Sequence, residues 1–209
     1  MAALDLLRES GLSGAGINNV IAKSGAPKGS LYHYFPRGKV ELVTTALRYA
    51  ERDLVEGLRT AFGNHTTVGA KIRAFFRTKA AGMKANGFTQ GCPVAAVTVD
   101  LDSGEAEIAQ VCAGIFDACR DAVAEGLREV PARERRAVAD LILATLEGAM
   151  ILVRAQASPR PLRDVADALA AALDARFAHA TPNQRARMTM TRRRNEKERA
   201  PRHRKGEGA

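Results

Sequence analysis

Residues 11–47, GLSGAGINNVIAKSGAPKGSLYHYFPRGKVELVTTAL, decide how the chain folds. Ile17, Val20 and Ile21 recur at the spacing of one helix face, and Gly25 is suited to the left-handed conformation that ends a helix. Pro27 follows where a new helix starts, because its missing N–H costs nothing there. Two short helices joined by a tight glycine-containing turn read as a helix-turn-helix. In the second, from Lys28 to Tyr34, the spacing turns Leu31 and then Phe35 inward. It leaves Lys28, Gly29, Ser30, Tyr32 and His33 outward. Cationic, hydroxyl and phenol donors around one turn, with free amides at a positive helix end and a glycine that removes bulk, suit a groove of a polyanion. Pro36 closes this helix, and Lys39 opens the next, in position for a further phosphate.

Outward from this stretch, turn signals at Gly63–Thr67, Gly87–Pro93, Asp100–Gly104, Val130–Ala132 and Ala157–Pro161 cut the remainder into helices, about nine in all. Hydrophobic residues make up 46% of the 209, Trp is absent and β-branched runs are short, so the expected class is all-α. No apolar run is long enough to span a bilayer and no secretory leader follows Met1, which implies a cytoplasmic protein without a membrane partner. Cys92, Cys112 and Cys119 match no zinc or redox spacing and read as reduced, core-filling thiols.

Three long amphipathic helices follow. Ile108, Val111, Cys112, Ile115, Phe116, Cys119, Val123 and Leu127 hold one face, with Asp102 expected as the cap and Glu105 three residues on. A second helix, from about Arg133 to Gln156, is apolar nearly all round between Leu141 and Val153. A third, Leu162 to Ala178, carries a stripe of Leu162, Val165, Leu169, Leu173 and Phe177. A helix apolar on several sides must be covered on several sides. Pairing the last two helices with those of a second copy covers this surplus through Leu141, Thr145, Gly148, Ala149, Leu152, Val165, Leu169 and Leu173, giving a homodimer. A central position within a monomer is the alternative.

The net charge of +9 is unevenly spread. Residues 1–62 hold 8 basic and 6 acidic groups, residues 63–179 hold 14 of each, and residues 180–209 hold 10 and 3. The excess therefore sits in residues 181–209, a basic stretch read as a disordered tail that either adds salt-sensitive phosphate contacts or has no role.

The string GAPKGSLYHYFPRGKVEL resembles the recognition-helix region of the TetR family. Its Ala-Pro-Lys-Gly-Ser form, the glycine at Gly38 and the Gly91-Cys92-Pro93 segment resemble the LmrA/YxaF branch. The resemblance implies a helix-turn-helix DNA-binding domain at 1–47, a ligand-sensing and dimerisation domain at 48–180 and the tail at 181–209. It implies a ligand-responsive repressor, not an enzyme, that binds a palindromic double-stranded DNA operator as a dimer, needs no cofactor and is released by a small apolar or aromatic inducer. Carried over position by position, the DNA contacts fall on Asn18, Lys28, Gly29, Ser30, Tyr32, His33 and Lys39, with Lys28 and Ser30 reading bases and Tyr32 and His33 holding phosphates. Packing of Tyr32 on the first helix, or local capping by His33, stays open beside this. Ala15 and Gly16 stand where the family commonly has a capping Thr or Ser, and the family usually has further residues before the position of Ala2, which places Met1 within its first helix.

The ligand space that the resemblance implies is lined by Phe75, Phe76, Lys79, Met83, Phe88, Cys92, Val97, Val111, Ile115, Phe116, Cys119, Leu146 and Met150. Ordinary core is the competing reading of each of these residues. Other functions are less well supplied. A Cys92 nucleophile lacks a placed base, since the histidines are His33, His65, His179 and His203 and none sits in a catalytic pattern. A redox-sensing repressor using Cys92, Cys112 and Cys119 is closer. Yet Cys112 and Cys119 lie two turns apart on one helix, roughly 10.5 Å along the axis, beyond disulfide reach, while pairing of either with Cys92 stays open. A nonspecific nucleic-acid binder driven by the basic tail is the third alternative.

Overall fold

The computed structural model describes residues 1–178, so the basic stretch at 181–209 and its expected disorder lie outside the described residues. Nine α-helices and no strand are present among the described residues: α1 Ala2–Gly14, α2 Ile17–Ser24, α3 Lys28–Tyr34, α4 Lys39–Gly63, α5 Val68–Ala85, α6 Pro93–Val99, α7 Ala106–Gly126, α8 Arg135–Gln156 and α9 Arg160–Phe177. A 3-10 turn at Ala132–Glu134 precedes α8, so the helix expected from about Arg133 starts at Arg135.

Two clusters of apolar side chains organise these helices. The smaller joins Val20, Leu31 and Leu42, with Ala3, Leu6, Ile17, Ile21 and Phe35 partly buried around it, and holds α2 and α3 against α1 and α4. The larger runs through α4, α5, α7, α8 and α9, and also takes in Leu7, Leu12, Val43 and Leu47. Helix α4 therefore belongs to both clusters and crosses position 47 without a break. In the larger unit α5 lies along α9, α4 along α7, α6 against α1, and α8 between α7 and α9.

Helix α2 ends at Gly25 with φ 67°, whose N–H donates to the Ile21 carbonyl, and Pro27 takes the extended position before α3. Pro27 is thus the residue outside the helix rather than its first turn. A sharper irregularity lies in α1, where Gly11 adopts φ 61°, ψ −155° and kinks the helix. Only glycine occupies that region comfortably. A Cβ there would meet the Asp100 carboxylate and stand 3.0 Å from the Ala96 carbonyl, so the kink lets α1 settle onto α6. Asp100 Oδ2 accepts from the Ser13 N–H and hydroxyl, both at 3.1 Å, and fixes that contact.

The start of α7 departs from the sequence pattern. The Asp102 carboxylate accepts from the Gly104 N–H at 2.8 Å, a turn two residues ahead, and the helix begins only at Ala106. Half of the expected reciprocal pair survives, since Glu105 accepts from the Asp102 N–H at 3.2 Å. One buried cation was not foreseen: Lys71, 3% exposed, donates to the Gly126 carbonyl at 2.7 Å and to both Glu129 oxygens at 2.8 Å, tying α5 to the end of α7.

Candidate nucleic-acid interface and buried cavity

Lys28, Gly29, Ser30, Tyr32 and His33 are all exposed on α3, and Asn18 is exposed on α2. Leu31 turns inward and Phe35 is half-buried, so burying the apolar pair directs the polar residues to solvent. No ion pair involves Lys28 among the described residues, whereas Lys39 lies 3.9 Å from Glu105 at the base of α7. Arg37 is held more tightly, with Nη1 donating to the two Glu107 oxygens at 3.0 and 2.8 Å. Helix α3 thus starts on a lysine with no ion-pair partner among the described residues, while the two cations that follow it, Arg37 and Lys39, are shared with the start of α7. The sequence reading passed over Tyr34, which is 72% exposed and edge-on to the His33 ring at a centroid separation of 5.4 Å. Its signal was present, since the inward positions of this helix were already filled by Leu31 and Phe35.

A cavity of about 320 Å³ lies among α4, α5, α7 and α8. Of the residues expected around a ligand, Phe75, Lys79, Met83, Cys92, Ile115, Phe116, Cys119, Leu146 and Met150 line it. Four expected residues do not. Phe76 neighbours Phe75, but one helical step carries it into the core, where it is 1% exposed. Val97 on α6 is likewise sealed in the core. Phe88 sits in the α5–α6 turn with φ 65° and packs on the core from outside. Val111 faces a separate depression shared with Arg48, Glu51 and Glu107.

The wall also contains residues that sequence reasoning missed: Leu54 and Leu58 from α4, Gln90 from the α5–α6 turn, and Leu143 and Glu147 from α8. Glu147 is the one acidic side chain within the apolar run from Leu141 to Val153. Burial holds its carboxyl above the ordinary carboxylate range, opposed by a hydrogen bond with Cys92 and by the charge of Lys79. Burial likewise pushes the Cys92 thiol up, with the Glu147 charge adding to it, and pushes Cys119 up to about 11. Cys112 moves upward for the same reason. Protonated thiols are poor nucleophiles, so burial disfavours the thiolate that a redox sensor uses.

The cavity is wired to the helix-turn-helix. Gln90 Nε2 donates to Glu9 Oε1 at 3.1 Å, and the Glu9 carboxylate receives the Lys23 ammonium of α2 at 2.8 and 2.7 Å. That pairing, and the contact with Gln90, hold the Glu9 carboxyl below its ordinary range. Two further bonds brace the same place: the Gly91 N–H donates to the Arg8 carbonyl at 3.0 Å, and Arg154 of α8 donates to the Glu9 carbonyl at 3.0 Å.

The residues expected at a dimer interface divide into two sets. Leu141 and Leu152 are each 47% exposed, Gly148 is exposed, and Thr145, Val165 and Leu169 are half-buried. Ala149 and Leu173 point the other way, into the protomer's own core, because they fall on the faces of α8 and α9 that meet their neighbours. Ile151, not anticipated, is 65% exposed beside Leu152.

Residues 1–46 match the family described as bacterial regulatory proteins, tetR family, and residues 69–168 match the LmrA/YxaF-like transcriptional regulator C-terminal domain. The chain is 31% identical over 169 residues to the uncharacterized HTH-type transcriptional regulator Rv0196 of Mycobacterium tuberculosis, covering 78% of this chain and 85% of that one. It is 25% identical over 170 residues to the HTH-type transcriptional regulator LmrA of Bacillus subtilis, covering 80% and 90%. Among solved structures, the regulatory protein TetR from Rhodobacter sphaeroides superposes with a TM-score of 0.73 at 25% identity, over 81% of this chain and 93% of that chain.

Proposed function

Since the chain belongs to the TetR family of DNA-binding transcriptional regulators, which are not enzymes, we propose that it is a repressor that grips a palindromic operator as a dimer and lets go when a small apolar molecule enters the cavity. The observation that carries this reading is the connected path Gln90–Glu9–Lys23, from the cavity wall to the first helix of the DNA-binding motif. A ligand responds through such a path only if it binds the two arrangements unequally. An occupant that displaces Gln90 disturbs the Glu9 pair, and with it the seat of α2.

On this reading Lys28, Ser30, Tyr32, His33, Asn18 and Lys39 meet DNA, with Gly29 allowing close approach. Residues 1–47 form the DNA-binding domain, and residues 48–180 the sensing and dimerising one. The outward stripe of Leu141, Thr145, Gly148 and Leu152 on α8, with Val165 and Leu169 on α9, supports pairing of two copies. Pairing sets the two recognition helices to half-sites about one DNA turn, ~34 Å, apart. The charge excess of 181–209 adds background phosphate affinity rather than sequence choice.

The test is titration of the purified chain against the palindromic segments upstream of its own gene, with competitor DNA, beside a Tyr32→Ala, Lys39→Ala double variant. Saturable binding of two chains per site that the double variant loses supports the repressor reading. Binding that ignores sequence and survives both substitutions transfers DNA affinity to the basic C-terminal stretch.

A further inference from the structure

The cavity holds an acidic and a basic side chain without an ion-pair partner, and the Glu147 carboxyl has the Cys92 thiol as its hydrogen-bond partner. Neither Glu147 nor Lys79 has an ion-pair partner within 4.0 Å among the described residues. Their surroundings differ. Lys79 lies at the side where α4 and α5 part, since it, Phe75 and Thr78 also line an outer depression walled by Asp53, Glu56 and His65. Its ammonium is already accommodated, 5.2 Å from the centre of the Phe75 ring. Glu147 lies at the other end, on the wall shared with a second cavity beside α1 and α6, together with Gly91, Cys92 and Met150. Asp53 and Glu56 in that outer depression favour the approach of cations, and the Glu147 carboxyl stands on the far wall of the cavity.

A carboxyl inside an apolar helix run costs stability unless something pairs with it. Leu54, Leu58, Met83 and Phe116 supply an apolar bed between the two ends. Resting on the reading that this cavity is the sensor site, we propose that its ligand is an apolar, ring-sized molecule bearing a basic nitrogen, whose ammonium pairs with Glu147. The bound cation restores the carboxylate that desolvation suppresses. Binding is therefore coupled to proton release, and affinity rises with pH through the titration of Glu147. The titratable groups that share the cavity with that carboxyl are Cys92 from the α5–α6 turn, Lys79 from α5, Cys119 from α7 and Arg8 from α1. On the side of the second cavity they are Glu9, Asp100 and Arg154. Both thiols stay protonated at neutral pH, so Glu147 supplies the pH dependence.

The experiment compares three probes of one shape, naphthylethylamine, naphthylethanol and naphthylacetate, binding the full chain by calorimetry from about pH 6 to about pH 8, where the amine stays protonated. The expected order places the amine first, with affinity increasing with pH. Glu147→Gln is expected to erase about tenfold of its advantage over the alcohol, as loss of a charged hydrogen bond does, while alcohol affinity, which reports an intact cavity, is unchanged. Equal binding of amine and alcohol, or an amine preference that survives Glu147→Gln, overturns the proposal while leaving a ligand-binding cavity. Tightest binding of the carboxylate, lost in Lys79→Gln, overturns it in favour of an anionic ligand. Failure of all three probes in a chain that still binds its operator overturns the sensor reading along with it.

Discussion

The Lys23 ammonium lies 2.8 and 2.7 Å from the two carboxylate oxygens of Glu9, joining the first helix of the DNA-binding motif to α1. Because Glu9 also accepts from Gln90 at the cavity wall, one carboxylate answers to both sites. A partly exposed pair of this kind contributes little to stability, so its interest lies in coupling. Gln90→Leu is expected to change operator affinity in the native background and to change it little once Glu9→Gln is present. A double-mutant cycle on operator affinity checks this, with non-additivity of about 0.5 kcal/mol or more expected. Additive effects would show that the path carries no signal.

Lys28 and Lys39 are expected to differ as DNA contacts. Lys28 has no ion-pair partner among the described residues, whereas Lys39 faces Glu105 at 3.9 Å and Arg37 is held by Glu107. Lys28→Ala should lower the slope of log affinity against log salt by about 0.9, one phosphate contact. Lys39→Ala should lower it less. Glu105→Gln, which releases Lys39, should strengthen binding at low salt, and anisotropy titrations over a salt series measure all three.

Gly11→Ala tests the kink that seats α1 on α6. The new Cβ would enter a backbone region reserved for glycine and crowd Asp100 and the Ala96 carbonyl, 3.0 Å away. Strain of this kind costs roughly 2 kcal/mol, a fall in Tm of about 4–8 °C for a chain of this size. Thermal unfolding followed by circular dichroism reads it directly, and an unchanged Tm would mean that α1 can straighten without loss.

The contrast between Gly25 and Gly11 shows what the sequence made legible. Gly25 announced itself, because the apolar spacing of Ile17, Val20 and Ile21 stops just before it and Pro27 follows. At Gly11 the sequence marks a turn, from Gly11 to Gly16, but not its cause: Leu7 and Leu12 are both buried across the kink, and only the long-range approach of Asp100 shows why glycine is needed. The cavity was legible to the same limited degree. Apolar periodicity identifies inward faces, but it does not separate Phe75, which borders empty space, from Phe76, which borders other side chains. Glu147 was hidden for the opposite reason, since a lone acid in an apolar run reads as a solvated position until neighbouring helices close over it.

Leu152→Glu is expected to separate paired copies. Leu152 and Ile151 are 47% and 65% exposed in the single chain, next to Gly148, where another backbone can approach closely. A charge there has no partner to meet in a closed apolar seam and disfavours association strongly. Sedimentation should show the variant at half the native mass with its helical content intact. An unchanged mass would place any interface elsewhere.

Glu147→Gln should stabilise the ligand-free protein at neutral pH, and the sign follows from linkage. Burial raises the folded-state pKa of this carboxyl above its unfolded value, so folding takes up a proton in the window between the two. The stability Glu147 contributes is therefore complete below the unfolded carboxylate pKa and is lost as pH rises through the folded one. Glutamine cannot ionise and keeps the neutral form's packing at every pH. Glu9, held below its ordinary range by Lys23 and Gln90, shifts stability in the opposite direction with pH, so the informative quantity is the difference in Tm between native and variant chains. That difference should be small in acid and grow in the variant's favour toward neutral pH. A difference independent of pH would mean that the carboxyl is solvated in the folded protein, which removes the reason for a ligand to pair with it.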